Sequence, residues 1–192
     1  MYLVNNTRPD IFFAVSLLAR FSSCPTRRHW KGVKHIFRYL QGTIDMELLY
    51  SNASKSELIG YAYTRYLSNP HKTRFETRYL FTYRGIVVSW RSMKKIIVAT
   101  SSNHAEIIAI HEANRECVWL RSMTRHVLKL CDLLMQTKSP TILYEDNFAC
   151  IAQLKGGYIK GYQTKHISPK FFFTHDPQQN SETNIQQIRF ER

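Results

Sequence analysis

The sequence predicts an α/β domain with a mixed sheet, preceded by a helical hairpin. Helical patterns at residues 8–21 and 26–41 precede three strand patterns, and helix, strand and helix patterns follow these strands. Strands that lead into a helix–strand–helix segment are typical of a sheet with helices packed on it. The order of the patterns therefore predicts a helical unit over residues 1–45 and an α/β domain over residues 52–192.

The helical hairpin carries residues that are typical of helix ends. Pro9 suits the first turn of a helix, and Ile11, Val15 and Leu18 then recur at helical spacing. Gly42 follows the second helical pattern in a plausible C-cap position. These residues predict two short helices before the first strand.

Three strand patterns follow, at Leu58–Tyr63, Phe75–Tyr83 and Ile86–Arg91. Arg84-Gly85 separates the second and third patterns, which predicts a hairpin turn between them. Residues 103–126 form the longest helical pattern, with apolar side chains near one face.

The remaining elements alternate between strand and helix. Thr141–Glu145 is typical of a buried strand, and Phe148–Leu154 is a short helix that Gly156-Gly157 ends. Pro169–Thr174 is a further helical candidate. The tail after Pro177 is polar and weakly patterned, and no strand is predicted there.

The composition favours an intracellular, cytoplasmic or nuclear protein that binds nucleic acid. Of 192 residues, 27 are lysine or arginine and 14 are acidic, which gives a net charge of +13. Such an excess attracts polyanions, because phosphate neutralisation releases counterions; a merely basic surface is the alternative. The four cysteines have no CxxC spacing, so reduced thiols are expected. No apolar run approaches the roughly 20 residues of a membrane span, and no oligomeric state is predicted.

Positive charge is concentrated in residues 65–95, which hold eight basic residues and a single acid, Glu76. Within this segment, Arg91, Lys94 and Lys95 lie close to an aromatic residue, Trp90. Basic and aromatic groups together are typical of surfaces that bind nucleic-acid strands. The alternative is a solvated hairpin end with the tryptophan in the core.

Two carboxylates are candidates for metal ligands. Glu106 lies near the start of the longest helical pattern, and Asp146 ends the apolar run at Thr141–Glu145. One carboxylate near a helix start and another at a strand end are typical of a two-metal phosphodiester-cleaving site. The alternatives are that Glu106 stabilises the helix dipole and that Asp146 is the N-cap of the next helix.

Many short motifs resemble copia-type retrotransposon Pol polyproteins, those of plants in particular, and they occur in the same order along nearly the whole chain. Those of the reverse transcriptase tail are Thr7-Arg8-Pro9-Asp10-Ile11, His29-Trp30-Lys31 and Arg38-Tyr39-Leu40-Gln41-Gly42-Thr43. Those of the ribonuclease H domain include Ser89-Trp90-Arg91-Ser92, Ala99-Thr100-Ser101-Ser102, Ala105-Glu106, Tyr144-Glu145-Asp146-Asn147 and Thr164-Lys165-His166-Ile167. The resemblance implies a ribonuclease H-like fold.

The resemblance also implies an activity, the cleavage of RNA in an RNA–DNA hybrid by two Mg²⁺ ions that four acids hold. Glu106 and Asp146 match two of these acids. The first-strand aspartate of the family falls at Tyr63, whose phenol is uncharged at neutral pH and is expected to occupy metal volume. The fourth acid is expected beyond Arg192, so the domain is expected to be incomplete at its C-terminus.

These departures from the family pattern predict a domain that does not cleave RNA. Glu106 and Asp146 are not expected to hold two Mg²⁺ ions, since two carboxylates balance only part of the charge of two ions. One alternative is a non-enzymatic module that binds an RNA–DNA hybrid or another nucleic acid. The other is a gene-prediction fragment that does not fold stably.

Overall fold

The computed structural model describes residues 2–47, 57–69, 74–95, 99, 101–132, 139–157 and 168–188. The chain divides into two compact units, Met1–Asn52 and Ala53–Arg192. The motif at residues 164–167 lies outside the described residues. None of the helices in the described ranges is long and apolar enough to cross a membrane.

The first unit is helical. Its α-helices are α1 (Tyr2–Asn6), α2 (Phe12–Ala19) and α3 (Arg27–Gln41), and a short 3₁₀ turn at Pro9–Ile11 leads into α2. The proline at the start of that turn has no N–H to leave unpaired. The two helices predicted for the hairpin are therefore present, with the first of them beginning as a 3₁₀ turn.

Hydrogen bonds from the Arg8 side chain join the beginning of this unit to its end. The Arg8 guanidinium donates to the Asp10 carboxylate at 2.7 Å and also to the hydroxyl and carbonyl oxygens of Thr43. The hydrogen bond to Arg8 holds the pKa of Asp10 below its usual value. This ion pair is partly exposed, so its contribution to stability is small.

The second unit contains a five-stranded mixed sheet. Its strands are β1 (Leu58–Asn69), β2 (Arg74–Tyr83), β3 (Ile86–Lys94), β4 (Thr141–Glu145) and β5 (Thr183–Gln187), in the spatial order β3-β2-β1-β4-β5. The first three strands form an antiparallel meander, and β4 and β5 run parallel to β1. The predicted α/β class, a mixed sheet with helices packed on it, is confirmed.

Helices α4 (Ser102–Leu130), α5 (Phe148–Gly156) and α6 (Ser168–Gln179) complete this unit. The longest helix, α4, buries residues from Ala105 to Cys117, and it extends four residues past the predicted end at 126. The core joins this helix to α5, α6 and one face of the sheet. Its largest fully buried members include Phe81, Ile107, Ile110, Leu143, Leu154, Phe171 and Ile185.

Two backbone features at β1 and β2 follow from glycine. A Cβ atom on Gly60 would lie 2.4 Å from a ring carbon of Phe81 and 2.7 Å from the Leu143 Cδ1, so only glycine fits between these side chains. The turn from β2 to β3 has positive φ angles at Arg84 (54°) and Gly85 (79°), as the predicted two-residue hairpin turn requires.

No apolar pattern predicts β5, because its residues are mostly polar. Thr183 and Ile185 alternate with less buried residues, and the strand pairs in parallel with β4 over Thr141–Glu145. Hydrogen bonds to β4 and the burial of one apolar residue, Ile185, therefore stabilise this strand although it has no hydrophobic pattern.

Candidate metal and nucleic-acid site

Three carboxylates meet where β4 ends beside the first turns of α4. Ligand oxygens of Glu106, Glu145 and Asp146 all lie within 4.8 Å of one another. The side chain of Glu145 faces the helices together with Leu143, because alternate residues of β4 are buried. The cluster therefore contains the two acids predicted from the sequence and a third, Glu145, that was not predicted.

Glu106 and Glu145 are both deeply buried. Glu106 is 7% exposed and Glu145 is fully buried, whereas Asp146 is exposed. The backbone N–H of Asn147 donates to Glu145 Oε1 at 3.4 Å, while Oε2 of Glu145 and Oε2 of Glu106 have no hydrogen-bond partner among the described residues. Both unpartnered oxygens are thus available to a cation or a proton.

Burial and neighbouring negative charges make the ionised forms of both buried acids less favourable. Burial raises the pKa of Glu106 to about 7; the nearby hydroxyl of Thr64 opposes this shift, and the charge of Asp146 adds to it. Burial and the charge of Glu106 raise the pKa of Glu145 further above its usual value. Two buried carboxyls that share a small volume therefore retain protons unless a positive charge neutralises them.

Asp146 is not the N-cap of α5. The side chain of Asn147 accepts from the backbone N–H of Cys150 at 3.1 Å, which is the hydrogen bond of an N-cap residue. The alternative role considered for Asp146 is therefore taken by its neighbour, and the carboxylate of Asp146 remains free to face the cluster.

The first strand brings no acid to the cluster. Ala62 and Thr64 are buried, whereas Tyr63 between them is 44% exposed. Adjacent residues of a strand point to opposite faces, so the tyrosine ring does not enter the buried part of the cluster. The effect of this ring on metal binding stays a prediction, and Thr64 is the β1 residue that lies beside Glu106.

The predicted basic residues have different environments. Lys95 is 8% exposed, and its ammonium forms an ion pair with Glu112 of α4. The predicted nucleic-acid contact through Lys95 does not fit this geometry, because the charge is neutralised inside the fold. Lys94 is exposed and lies opposite Glu76 in the β2–β3 register, and Arg91 is also exposed.

Arg91 lines a surface groove of about 430 Å³ between the β2–β3 hairpin and α4, a feature that the sequence did not reveal. Its lining also includes Tyr79, Met93, Glu112, Arg115, Glu116 and Trp119. The indole of Trp119 is 55% exposed. Burial and the charge of Glu116 raise the pKa of Tyr79 to about 12, so its phenol stays neutral. The groove is therefore lined by two aromatic rings, two guanidinium groups and two carboxylates.

Comparison with known proteins gives several relatives. Over 171 residues, or 89% of this chain, the sequence is 34% identical to the retrovirus-related Pol polyprotein from transposon TNT 1-94 of Nicotiana tabacum. Over 179 residues it is 26% identical to the corresponding polyprotein from transposon RE2 of Arabidopsis thaliana. The chain belongs to the copia-type retrotransposon Pol polyproteins. It spans only 12% of the length of each of these two polyproteins.

One shorter relative of this chain is not named as a Pol polyprotein. The chain is 41% identical over 125 residues to a protein called secreted RxLR effector protein 161 from Plasmopara viticola, and the match covers 65% of this chain and 88% of that protein. No protein-family model matches the chain.

Solved structures similar to this Pol-derived chain are ribonucleases H. The N-terminal RNase H domain of Rv2228c from Mycobacterium tuberculosis has a TM-score of 0.47 and 9% identity, over 70% of this chain and 83% of that one. LC11-RNase H1, solved in complex with an RNA/DNA hybrid, has a TM-score of 0.46 and 16% identity, over 69% of this chain and 85% of that one.

Proposed function

We propose that Ala53–Arg192 is a ribonuclease H-like domain that binds RNA–DNA hybrids and does not cleave them efficiently. The observation that carries this proposal is the lack of a carboxylate on the part of β1 that meets Glu106. The two buried positions there are Ala62 and Thr64, and neither can ligate a metal through a charged oxygen. Residues 1–45 are proposed to be the reverse transcriptase tail that precedes the domain.

The acidic cluster fits a hard divalent cation such as Mg²⁺. Its donors are carboxylate oxygens, which Mg²⁺ prefers, and two of them are buried without a hydrogen-bond partner in the part of the chain that the structure describes. In such sites the cation lowers the pKa of a bound water and stabilises the leaving oxygen. Glu106 and Asp146 would hold it here. Without an acid on β1, the described acids of the cluster carry too little negative charge for two ions at close range.

Hybrid binding is proposed to involve the exposed basic and aromatic side chains beside the β2–β3 hairpin. Arg91 and Arg115 supply positive charge to the groove, and the exposed ring of Trp119 offers a stacking surface. Lys94 adds an exposed charge at the end of β3. Contacts of this kind depend on phosphate charge, so the affinity should fall steeply with salt.

A cleavage assay on a labelled RNA–DNA hybrid tests the proposed loss of activity. With Mg²⁺ or Mn²⁺, the wild-type chain should release no more product than the Glu106→Gln variant. Hybrid binding should persist in both proteins at low salt. Robust cleavage that Glu106→Gln abolishes would show that the domain is an active ribonuclease and would refute the proposed inactivity.

A non-enzymatic nucleic-acid-binding module is the second candidate function, and the groove favours it. Arg91→Ala combined with Lys94→Ala should weaken binding to hybrids and to other nucleic acids alike. Arg125→Ala, which removes a positive charge near the other end of α4, should have a much smaller effect. Equal losses in the two proteins would show that net charge, and not this surface, determines binding.

A further inference from the structure

Among the described acids of the second unit, Glu145 alone is fully buried. As the last residue of β4, it faces α4 on the same side as Leu143. Its Oε1 accepts a long hydrogen bond from the Asn147 N–H, and its Oε2 has no partner among the described residues. A buried carboxylate oxygen without a partner is costly, so its position requires a physical reason.

A second unpartnered oxygen belongs to the same cluster. Oε2 of Glu106 is likewise buried without a hydrogen-bond partner among the described residues, and the residue is only 7% exposed. Both side chains place a ligand oxygen within 4.8 Å of each other and of Asp146. No Lys or Arg side chain forms a salt bridge with any of these three acids in the described residues.

We propose that Glu145 is a ligand of a single divalent cation, which it holds together with Glu106 and Asp146. One ion with two positive charges balances most of the charge of three carboxylates, whereas two ions would leave an excess of positive charge. The ion would satisfy both unpartnered oxygens at once. Glu145 would thus supply the third carboxylate that β1 does not bring to the site.

The donor set determines the class of ion. All three donors are carboxylate oxygens, and the set contains no imidazole or thiolate. Oxygen donors favour Mg²⁺, Mn²⁺ and Ca²⁺ over zinc and copper. Mn²⁺ is the suitable probe, because its free and bound forms are distinguished by electron paramagnetic resonance.

The test is a Mn²⁺ titration of the full chain, with Glu145→Gln as the critical variant. The wild type should bind one equivalent of Mn²⁺, and Glu145→Gln should bind at least tenfold more weakly. Asp132→Asn is the matched control, since it removes an exposed carboxylate at a position with φ of 53° that asparagine tolerates. Its Mn²⁺ affinity should equal that of the wild type.

Thermal melts of the same proteins separate ligand loss from misfolding. Glutamine has the size of glutamate and carries no charge, so Glu145→Gln should melt cooperatively without Mn²⁺, at or above the wild-type temperature. Added Mn²⁺ should raise the melting temperature of the wild type and of Asp132→Asn, but not that of Glu145→Gln.

Several results would overturn the proposal: wild-type Mn²⁺ affinity in Glu145→Gln, two equivalents of Mn²⁺ in the wild type, or no saturable binding. The proposal rests on the proposed function only for the location of the site. Hybrid binding, measured in the same samples without a metal, tests that function separately, so either can fail while the other holds.

Discussion

The two compact units differ in how much of their apolar surface they bury. In Met1–Asn52, Val4 and Ile11 are the buried apolar residues within the described range, while Trp30 and Phe37 remain 59% and 66% exposed. In Ala53–Arg192, the large side chains of the core are completely enclosed. Because stability rises with buried apolar area, most of the folding free energy resides in the second unit.

Removal of one phenylalanine from each unit should give the largest contrast. Phe81→Ala deletes a fully buried ring and should lower the free energy of unfolding by about 3–5 kcal/mol. Phe37→Ala deletes a ring that is 66% exposed and should change it by no more than about 0.5 kcal/mol. Chemical denaturation of both variants measures the difference. Similar losses would mean that Phe37 is buried in solution. A wild-type chain without any cooperative transition would support the alternative of a non-folding fragment.

Addition of one methyl group to each unit tests the same contrast in the opposite sense. Gly60→Ala would force a Cβ against Phe81 and should cost about 1–3 kcal/mol. Gly42→Ala is the matched control, because its nearest neighbour would be a carbonyl oxygen at 3.6 Å and its φ is negative. The control should be nearly neutral in denaturant unfolding, and a large effect there would contradict the loose packing of the first unit.

A histidine in the second unit should make its stability depend on pH. His111 of α4 packs edge-on against the ring of Phe173, and burial together with Lys170 and Arg115 lowers its pKa to about 4, while Glu112 opposes the shift. The unfolded chain takes up this proton near pH 6.5. Stability from the neutral imidazole is therefore complete above pH 6.5 and is lost as the pH falls towards 4.

Comparison with His111→Phe isolates this contribution. Unfolding free energies measured from pH 7 to pH 4 should fall less steeply for His111→Phe than for the wild type, since phenylalanine takes up no proton. Parallel profiles for the two proteins would show that the imidazole is protonated in the folded state without cost.

The hairpin turn should give the smallest effect. Arg84 has a φ of 54°, a conformation that asparagine adopts more readily than arginine, and Asn-Gly is the preferred pair in such turns. Arg84→Asn should therefore stabilise the chain by about 0.5 kcal/mol, although it removes the guanidinium that lies 5.6 Å from the Tyr83 ring centroid. A lower melting temperature would show that the stacking contact outweighs the backbone gain.

The elements that the sequence predicted are those with a strong local pattern. The apolar periodicity of α4 and the Arg84-Gly85 turn are local signals, so both features could be identified without the fold. The strand β5 could not, because its pairing with β4 and not its own apolar content makes it a strand. The burial of individual lysines could not be predicted either. Nothing in the local sequence distinguishes Lys95, which is buried in an ion pair, from the exposed Lys94.

In the candidate site, too, some residues could be predicted from local motifs and others only from the fold. Glu106 and Asp146 could be predicted from the sequence, because each lies in a short motif that resembles those of the family. Glu145 stands beside Asp146 in the same segment, yet its role depends on which face of β4 it occupies. That face is determined by the register with β1, in which Tyr61 pairs with Tyr144.

The fit of Gly60 between Phe81 and Leu143 has a consequence for how such a chain changes over time. The position of β1 is fixed by a contact that lies apart from the carboxylates. A substitution at the exposed Tyr63 position can therefore accumulate without unravelling the sheet. Site residues and fold-determining residues can therefore be lost independently in copies of one transposon. A retained fold is not evidence of retained activity.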